Sequence, residues 1–426
     1  MPKIIKLKGG GVLLYERHNQ AKATAYRIGI FRGGYLDKNT GISHLFEHMM
    51  FKGTKQHTND EITDLVRENF SNLNASTGGE YMLIRSYESN RKLKPALKIS
   101  AELMLESVFP EEELKKEKDV VLQEIVRAMD DINRIASINL NQMVYNYPEI
   151  KSETLGDPKK MTAITRNQLL DYGKNNIVKE NFFASVSSNL PAFVIKHYIN
   201  KYFYSKLNSG VKTNFDAADL TINSNSKLHI ETMDRKKVVL MVAFPCYGFN
   251  DVKNSFHLIQ LIHHLSGLKG PLFNHFREKK QLVYSVNLRR WSNREDGVIV
   301  FNIETSPDKV NECFHAIYDF IEEVKAGVTQ KDVDRLKESY IESDDRFVGH
   351  PTEYCANLLY DYMDRKKYIK PRVWDKLNKK LTVQDLNSAI NDTFGKIDKV
   401  FVSVAGPVNK KDVYSINKII KVLKGE

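Results

Sequence analysis

Cysteine is scarce in this chain of 426 residues, which contains only three, Cys246, Cys313 and Cys355. None belongs to a C-x-x-C pair, so a disulfide framework and a cysteine-rich zinc site are both excluded. Apolar runs are short as well, and none approaches the roughly eighteen residues that a membrane-spanning helix needs. The apolar part of the basic first segment covers only residues 12–15, which is too short for a signal peptide. We therefore expect a protein of the cytoplasm, a reducing compartment, with no membrane partner.

Motifs for nucleotide and serine-hydrolase chemistry are also missing. The sequence has no G-x-x-x-x-G-K-[ST] or G-x-G-x-x-G loop and no G-x-S-x-G motif. Its net charge is +11, but the basic residues are spread along the chain and form no block or aromatic-basic stripe. A nucleic-acid partner is therefore not expected. With 42% hydrophobic residues the chain has ample material for packed cores, which excludes general disorder.

The sequence repeats itself weakly, and in the same order, in its two halves. Each half has an early apolar stretch, at residues 25–31 and 238–244, and four pairs of segments recur at offsets of about 210 to 219 residues. These pairs are residues 66–69 and 276–279, positions 114 and 333, residues 164–169 and 381–386, and residues 182–188 and 400–406. Such an ordered series indicates two copies of one unit.

Each copy alternates strand-like segments with helices, which predicts an α+β fold in which a mostly antiparallel sheet is packed with helices. We expect a first domain at residues 1–208, a linker at 209–227 and a homologous second domain at 228–426. The predicted linker is polar and rich in Asn, Ser and Asp. A cleft between two such domains is the default ligand site.

One short segment has the pattern of a metal site. Residues 41–54 read GISHLFEHMMFKGT and contain His44, Glu47 and His48 in the order H-x-x-E-H. On a helix the two histidines lie one turn apart on the same face, so both imidazoles can reach one metal ion. Glu47 adjoins that face and can reach a water on the ion, which is the geometry of the inverted zincin motif. A core helix with two hydrogen-bonded histidines is the alternative that this segment alone leaves open.

A catalytic zinc site needs a third protein ligand. Residues 111–131 predict a helix whose apolar stripe comprises Leu114, Val121, Ile125 and Ala128. Glu117 and Glu124 fall on or beside this stripe, where an unpaired charge is costly and requires a metal or a cation. We interpret Glu124 as the third ligand and Glu117 as a carboxylate that supports the ligands from behind. A salt bridge to a lysine is the alternative.

These segments together resemble the pitrilysin/insulinase family of zinc peptidases, in particular the branch of mitochondrial processing peptidase and its short bacterial relatives. The resemblance covers nearly the whole chain. Residues 41–54 are similar to the metal-binding helix of the family, and residues 117–125, EKDVVLQEI, to its third-ligand helix. The resemblance implies one Zn²⁺ per chain, held by His44, His48 and Glu124, with Glu47 as the general base.

Two further segments extend the resemblance to the substrate. The family's substrate-binding edge strand is similar to Asn74, Ala75, Ser76 and Thr77. Residues 271–286, PLFNHFREKKQLVYSV, resemble the segment whose arginine and tyrosine reach the substrate. In this chain that pair is Arg277 and Tyr284, which the resemblance therefore assigns to catalysis.

The chain departs from the family pattern in its loops and in its second half. Ser71-Asn72 stands where the family often has glycines, and Gln281 stands where a glycine usually precedes the Leu-x-Tyr. These changes concern loop flexibility and substrate fit. The second copy of the repeat contains His257, His263 and His264 but no H-x-x-E-H, so we expect these to be ordinary helix residues.

The resemblance implies a zinc-dependent endopeptidase that hydrolyses short or unfolded peptides, bound extended in a cleft between two domains that form half of a clamshell. The implied partners are the peptide substrate and either a second copy of the chain, as a homodimer, or a related chain, as a heterodimer. Two alternatives stay open. One is a peptidase dedicated to a single precursor peptide, and the other is a catalytically silent scaffold subunit.

Overall fold

The computed structural model describes residues 2–38, 40–145, 154–214, 216, 220–267, 269–347, 350–395 and 397–426. The strands are β1 (Lys3–Lys6), β2 (Val12–Arg17), β3 (Ala23–Ile30), β4 (Asn74–Thr77), β5 (Met82–Ser89), β6 (Phe182–Ser188), β7 (Lys227–Thr232), β8 (Val238–Tyr247), β9 (Val283–Ser292), β10 (Asp296–Thr305) and β11 (Phe401–Gly406). The helices are α1 (Ile42–Met49), α2 (Asn59–Asn69), α3 (Leu93–Leu105), α4 (Glu111–Asp130), α5 (Ile132–Val144), α6 (Pro158–Thr162), α7 (Arg166–Asn176), α8 (Ala192–Tyr202), α9 (Val252–Leu265), α10 (Pro271–Phe273), α11 (Val310–Lys325), α12 (Gln330–Phe347), α13 (Pro351–Arg365), α14 (Pro371–Lys380), α15 (Val383–Phe394) and α16 (Ile416–Lys424). Across these described ranges, none of the helices has the length and apolar character needed to span a membrane.

The chain folds as two compact units. The first comprises residues 1–127, 149–216 and 347–368, and the second comprises residues 128–148, 217–346 and 369–426. Both units are discontinuous in sequence, whereas the division expected from the repeat, with domains at 1–208 and 228–426, is continuous. Of the expected linker at 209–227, residues 215 and 217–219 lie outside the described part of the chain.

The two units contain the same sheet. The first has six strands in the order β1-β2-β6-β3-β5-β4, and the second has five in the order β7-β11-β8-β10-β9. In each sheet one pair is parallel, β2 with β6 and β7 with β11, and the remaining pairs are antiparallel. Leaving out β1, the strands correspond one to one along the chain. The predicted α+β fold with two homologous, mostly antiparallel sheets is therefore confirmed.

Matching helix starts show how the repeated sequence encodes the repeated structure. Thr165 caps α7 and Thr382 caps α15, each by accepting the amide of the third helical residue. Gln168 and Asp385 complete the two boxes by accepting the amide of the capping threonine. A capping box satisfies two amides that have no partner inside the helix. Both helices therefore begin at corresponding positions of the repeat.

Two helices are exchanged between the units: each packs on the sheet formed by the other half of the sequence. All seven residues of β6 and all six of β11 are buried, and a strand buried on both faces needs a packed layer on each side. The helix α13, from the second half of the sequence, packs on β6, β3 and β2 in the first unit. The helix α5, from the first half, packs on β11 and β8 in the second unit. This exchange makes the units discontinuous.

Candidate metal centre

The helix α1 carries the H-x-x-E-H segment and is anchored by its opposite face. Leu45, Phe46 and Met49 are buried in the core of the first unit, whereas His44 and His48 are half-buried. Burial of the apolar face fixes the rotation of the helix about its axis. The two histidines therefore point in a defined direction, with ring centroids 4.6 Å apart and an interplanar angle of 67°.

A buried carboxylate holds the first turn of α1. Asp37 accepts hydrogen bonds from the Ser43 amide at 2.8 Å and from the Ser43 hydroxyl at 2.7 Å. It thereby serves an amide that has no partner within the helix. Burial raises the pKa of Asp37 to about 6, although the Ser43 bonds and the Arg32 guanidinium favour the charged form. Sequence reasoning missed Asp37 because it lies six positions before Ser43, outside the usual capping pattern.

The structure brings His44, His48 and Glu124 together. The Glu124 Oε2 atom lies 3.7 Å from Nε2 of His44 and 3.7 Å from Nε2 of His48. One possible ligand atom from each residue lies within 4.8 Å of the others, and no other group of three His, Cys, Asp or Glu side chains in the described ranges meets this condition. The helix α4 delivers Glu124, because Val121 and Ile125 are buried in the same core as α1.

Glu117 lies behind His48 and contacts both the His48 imidazole and the Lys52 ammonium. Its Oε2 atom is 3.0 Å from Nδ1 of His48, and its Oε1 atom is 2.7 Å from the Lys52 ammonium. Burial alone would raise the pKa of Glu117, but the bonds to His48 and Lys52 outweigh it and lower that pKa. An ionised carboxylate only accepts hydrogen bonds, so Nδ1 of His48 donates. In the neutral imidazole the lone pair is then on Nε2, on the Glu124 side. The lysine salt bridge that the sequence offered as the alternative is present, and the same carboxylate also contacts His48. Its role in supporting a metal ligand stays a prediction.

Lys52 is a residue that sequence reasoning missed. It follows His48 by four positions, the spacing at which side chains of a helix share a face, and this was the available signal. The helix itself ends at Met49, so only the structure shows that the Lys52 side chain still reaches Glu117. Burial lowers the pKa of His48, but the Glu117 hydrogen bond and the surrounding carboxylates outweigh burial and raise it.

Glu47 also lies beside the cluster and has its own partner. Its Oε2 atom accepts a hydrogen bond from the Thr77 hydroxyl at 2.9 Å. Burial raises the pKa of Glu47, while the Thr77 bond and the charge of His48 favour the carboxylate. A half-buried acid next to two imidazoles has the position expected of a proton acceptor.

The segment of residues 74–77 forms β4, the last strand in the order of the first sheet. It pairs with β5, with Ala75 opposite Ile84 and Thr77 opposite Met82. Ala75 is buried and Asn74 is exposed. The segment that the sequence assigned to an edge strand is thus at the edge of the sheet, and its role towards a substrate stays a prediction.

Arg277 and Tyr284 lie in the second unit. The Arg277 guanidinium is 5.5 Å from the centre of the Phe273 ring and donates a hydrogen bond to the Tyr284 carbonyl oxygen. The Tyr284 side chain is 56% exposed. Gln281 has a φ of 53°, which is the left-handed conformation that glycine adopts most easily. The family's glycine at this point thus has a physical reason, and this chain places a glutamine there.

The histidines of the second copy serve as helix residues. His257, His263 and His264 all lie in α9. His257 is 3.8 Å from a carboxylate oxygen of Asp385, and His264 accepts a 3.1 Å hydrogen bond from the Arg335 guanidinium. None of the three histidines belongs to a group of possible metal ligands in the described ranges.

Comparison with known families gives two adjoining matches. Residues 13–158 match the model of the insulinase family, peptidase family M16, and residues 163–340 match the model described as the peptidase M16 inactive domain. The cluster of possible metal ligands lies within the first match. The second match begins in the first copy of the repeat and covers the second copy as far as residue 340.

The chain is similar to proteins that carry protease or peptidase names. An uncharacterised zinc protease of Rickettsia bellii is 26% identical over 412 residues, which is 95% of this chain and 98% of that protein. A probable mitochondrial-processing peptidase subunit beta of Arabidopsis thaliana is 25% identical over 46% of this chain and 36% of that protein. A solved structure described as a peptidase M16 inactive domain, from Pseudomonas fluorescens, matches with a TM-score of 0.84 and 18% identity over 95% of this chain and 98% of that one. This last likeness concerns the fold alone.

Proposed function

The chain belongs to peptidase family M16, the insulinase family, and from this premise we propose that it is a zinc-dependent endopeptidase. The observation that supports the proposal most directly is the convergence of His44, His48 and Glu124 beside Glu47. Two imidazoles and a carboxylate are a donor set that catalytic zinc sites use, with the fourth position left open.

The surroundings of these side chains also fit a zinc ion. Glu117 accepts a hydrogen bond from Nδ1–H of His48. This bond favours the tautomer with Nε2 free, which a metal-binding imidazole requires. The Glu124 side chain is 42% exposed, so the cluster is open to solvent on that side. One zinc ion per chain, held by His44, His48 and Glu124, would supply a Lewis acid that acidifies water and polarises a carbonyl group.

The residues of the chain then have defined tasks. Glu47 takes the proton of the attacking water and passes it to the leaving amine nitrogen. Asn74, Ala75, Ser76 and Thr77 offer the edge of β4 to an extended peptide, which binds through its backbone. The guanidinium of Arg277 and the hydroxyl of Tyr284 hold the peptide and the developing oxyanion. Since backbone pairing reads little of the side chains, sequence selectivity should be loose. Short or unfolded peptides are the substrates that the family resemblance implies.

The first experiment measures zinc and peptide cleavage in the purified protein. We expect about one zinc per chain and cleavage of a mixed peptide library. The Glu47→Gln variant should keep its zinc and lose cleavage, and Glu124→Gln should lose zinc. Glu112→Gln, on the exposed side of α4, is the matched control and should behave as the unaltered protein. Cleavage that survives in Glu47→Gln would overturn the assignment of the base.

The same measurements separate the alternatives. A silent scaffold subunit would bind no zinc and cleave nothing. This alternative stays open because the model that matches residues 163–340 is described as an inactive domain. A dedicated processing peptidase would bind zinc but cleave few members of the library. We expect general cleavage because the proposed binding edge reads peptide backbone.

Location and assembly complete the proposal. The three cysteines are free thiols, which supports a reducing compartment, the cytoplasm. The mitochondrial-processing peptidase relative is named as a subunit, and we infer that this chain also assembles, with a second copy or with a related chain. Light scattering of the purified protein gives its mass, and a mass equal to that of one chain at all concentrations would exclude the homodimer.

A further inference from the structure

Thr77 was assigned by its sequence context to substrate binding, but its hydroxyl is already engaged within the protein. The Oγ1 atom donates to Glu47 Oε2 at 2.9 Å and lies 3.5 Å from the Ser43 carbonyl oxygen. A threonine hydroxyl has one proton to donate, and the shorter distance assigns it to Glu47. The partner is a carboxylate, so the hydrogen bond is charge-assisted and stronger than one between neutral groups.

The strand that carries Thr77 is held firmly. Thr77 stands opposite Met82 of β5, which is 1% exposed. Ala75 lies on the same face of β4 as Thr77, because side chains two apart share a face, and it is buried in the core that also contains Leu45. The side chain of threonine is branched at Cβ and has few rotamers. The hydroxyl is therefore presented to α1 from a fixed position.

We propose that Thr77 is a positioning residue for Glu47, and that its hydroxyl orients the carboxylate that accepts the proton during peptide hydrolysis. This inference rests on the function proposed above, because it gives Thr77 a role through Glu47. It assigns the side chain of Thr77 to Glu47, while the backbone of β4, Asn74–Thr77, stays the proposed binding edge.

The position of Thr77 also links binding to catalysis. Thr77 is the last residue of the edge strand on which the peptide is proposed to bind, and Glu47 is one hydrogen bond away. A peptide that pairs with β4 adds hydrogen bonds to this strand and steadies it. The strand in turn steadies the Thr77 hydroxyl and the Glu47 carboxylate.

The test compares three single substitutions. Thr77→Val keeps the shape of the side chain and removes the hydroxyl, whereas Thr77→Ser keeps the hydroxyl. Thr63→Val is the control, because it makes the same chemical change at an exposed position of α2. There the hydroxyl donates to the Asn59 carbonyl within its own helix. For each zinc-loaded protein we would measure kcat and KM on one peptide, the zinc content and the thermal midpoint. A crystal structure of Thr77→Val without peptide would show the Glu47 rotamer.

We expect Thr77→Val to lower kcat by about 10-fold or more, as loss of a hydrogen bond to a charged group predicts. KM and zinc content should stay close to those of the unaltered protein, because the lost contact is to the base. Thr77→Ser should retain most of kcat, Thr63→Val all of it, and the Glu47 carboxylate should turn away in the Thr77→Val crystal.

Three results would overturn the inference. They are a Thr77→Val protein with unchanged kcat, one in which only KM rises, and one in which the loss of kcat comes with loss of zinc or of the folded state. Failure of the proposed function looks different, because the unaltered protein would then lack zinc or cleavage, or Glu47→Gln would stay active. The two failures are therefore separable.

Discussion

The carboxylate of Glu117 offers the sharpest quantitative test of the metal centre. Glu117 is 7% exposed and accepts from Nδ1 of His48 at 3.0 Å and from the Lys52 ammonium at 2.7 Å. The substitution Glu117→Gln keeps the volume but replaces one acceptor oxygen with an NH₂ donor. If the amide oxygen stays with His48, the amide nitrogen opposes the Lys52 ammonium. If the amide oxygen turns to the ammonium instead, Nδ1 of His48 loses its acceptor.

The expected cost is worked out from these two contacts. Loss of an outer partner of a metal-binding histidine lowers metal affinity by about 10- to 100-fold, which corresponds to about 1.4 to 2.7 kcal/mol. We therefore expect the Kd for zinc to rise by that factor in Glu117→Gln. Lys52→Met leaves the bond from His48 to Glu117 in place, so its effect on the Kd should be smaller.

The assay is competition for zinc against a chelator of known affinity at pH 7. The matched control is Glu113→Gln, one turn earlier on α4, where the carboxylate pairs with Lys116 and lies outside the cluster. Its zinc affinity should equal that of the unaltered protein. A Glu117→Gln protein that is folded and binds zinc as tightly as the control would refute the role of Glu117.

Three further predictions concern stability. Because burial raises the pKa of Asp37 from 3.8 to about 6, its contribution to stability is present at low pH and is lost as the pH rises through about 6. Relative to Asp37→Asn, the free energy of unfolding in urea should fall by about 2 kcal/mol between pH 4.5 and 7, and a constant difference would contradict this reasoning. Gln281→Gly should raise the free energy of unfolding by about 1 kcal/mol, because it relieves the left-handed backbone; no gain would show that this backbone is unstrained. Leu359 of α13 is fully buried and lies in one apolar cluster with Leu14 and Phe183 of the first sheet. Leu359→Ala should therefore lower the free energy of unfolding by about 2 to 5 kcal/mol through the cavity that it leaves, and a loss below 1 kcal/mol would mean that α13 is dispensable there.

Much of the fold could be predicted from the sequence, because local signals such as helix caps occur in both copies of the repeat. The repeated Thr-x-x-Gln and Thr-x-x-Asp starts of α7 and α15 form the same capping box. The repeated segments at 182–188 and 400–406 form the interior strands β6 and β11. The exchange of α5 and α13 was not readable. The apolar face of a helix is compatible with either of two similar apolar sheets. Only tertiary packing therefore decides which sheet the helix covers.

The sequence by itself determined that His44 and His48 share one face of a helix with Glu47 next to them, because helical periodicity alone sets those directions. It also determined that Glu117 and Glu124 needed a partner, because a carboxylate beside an apolar stripe is costly without one. Only the tertiary structure decided that Glu124 meets both imidazoles, that Lys52 and His48 share Glu117, and that Thr77 reaches Glu47. Those contacts join residues far apart in the chain, and such distances depend on how the helices and the sheet pack in one core.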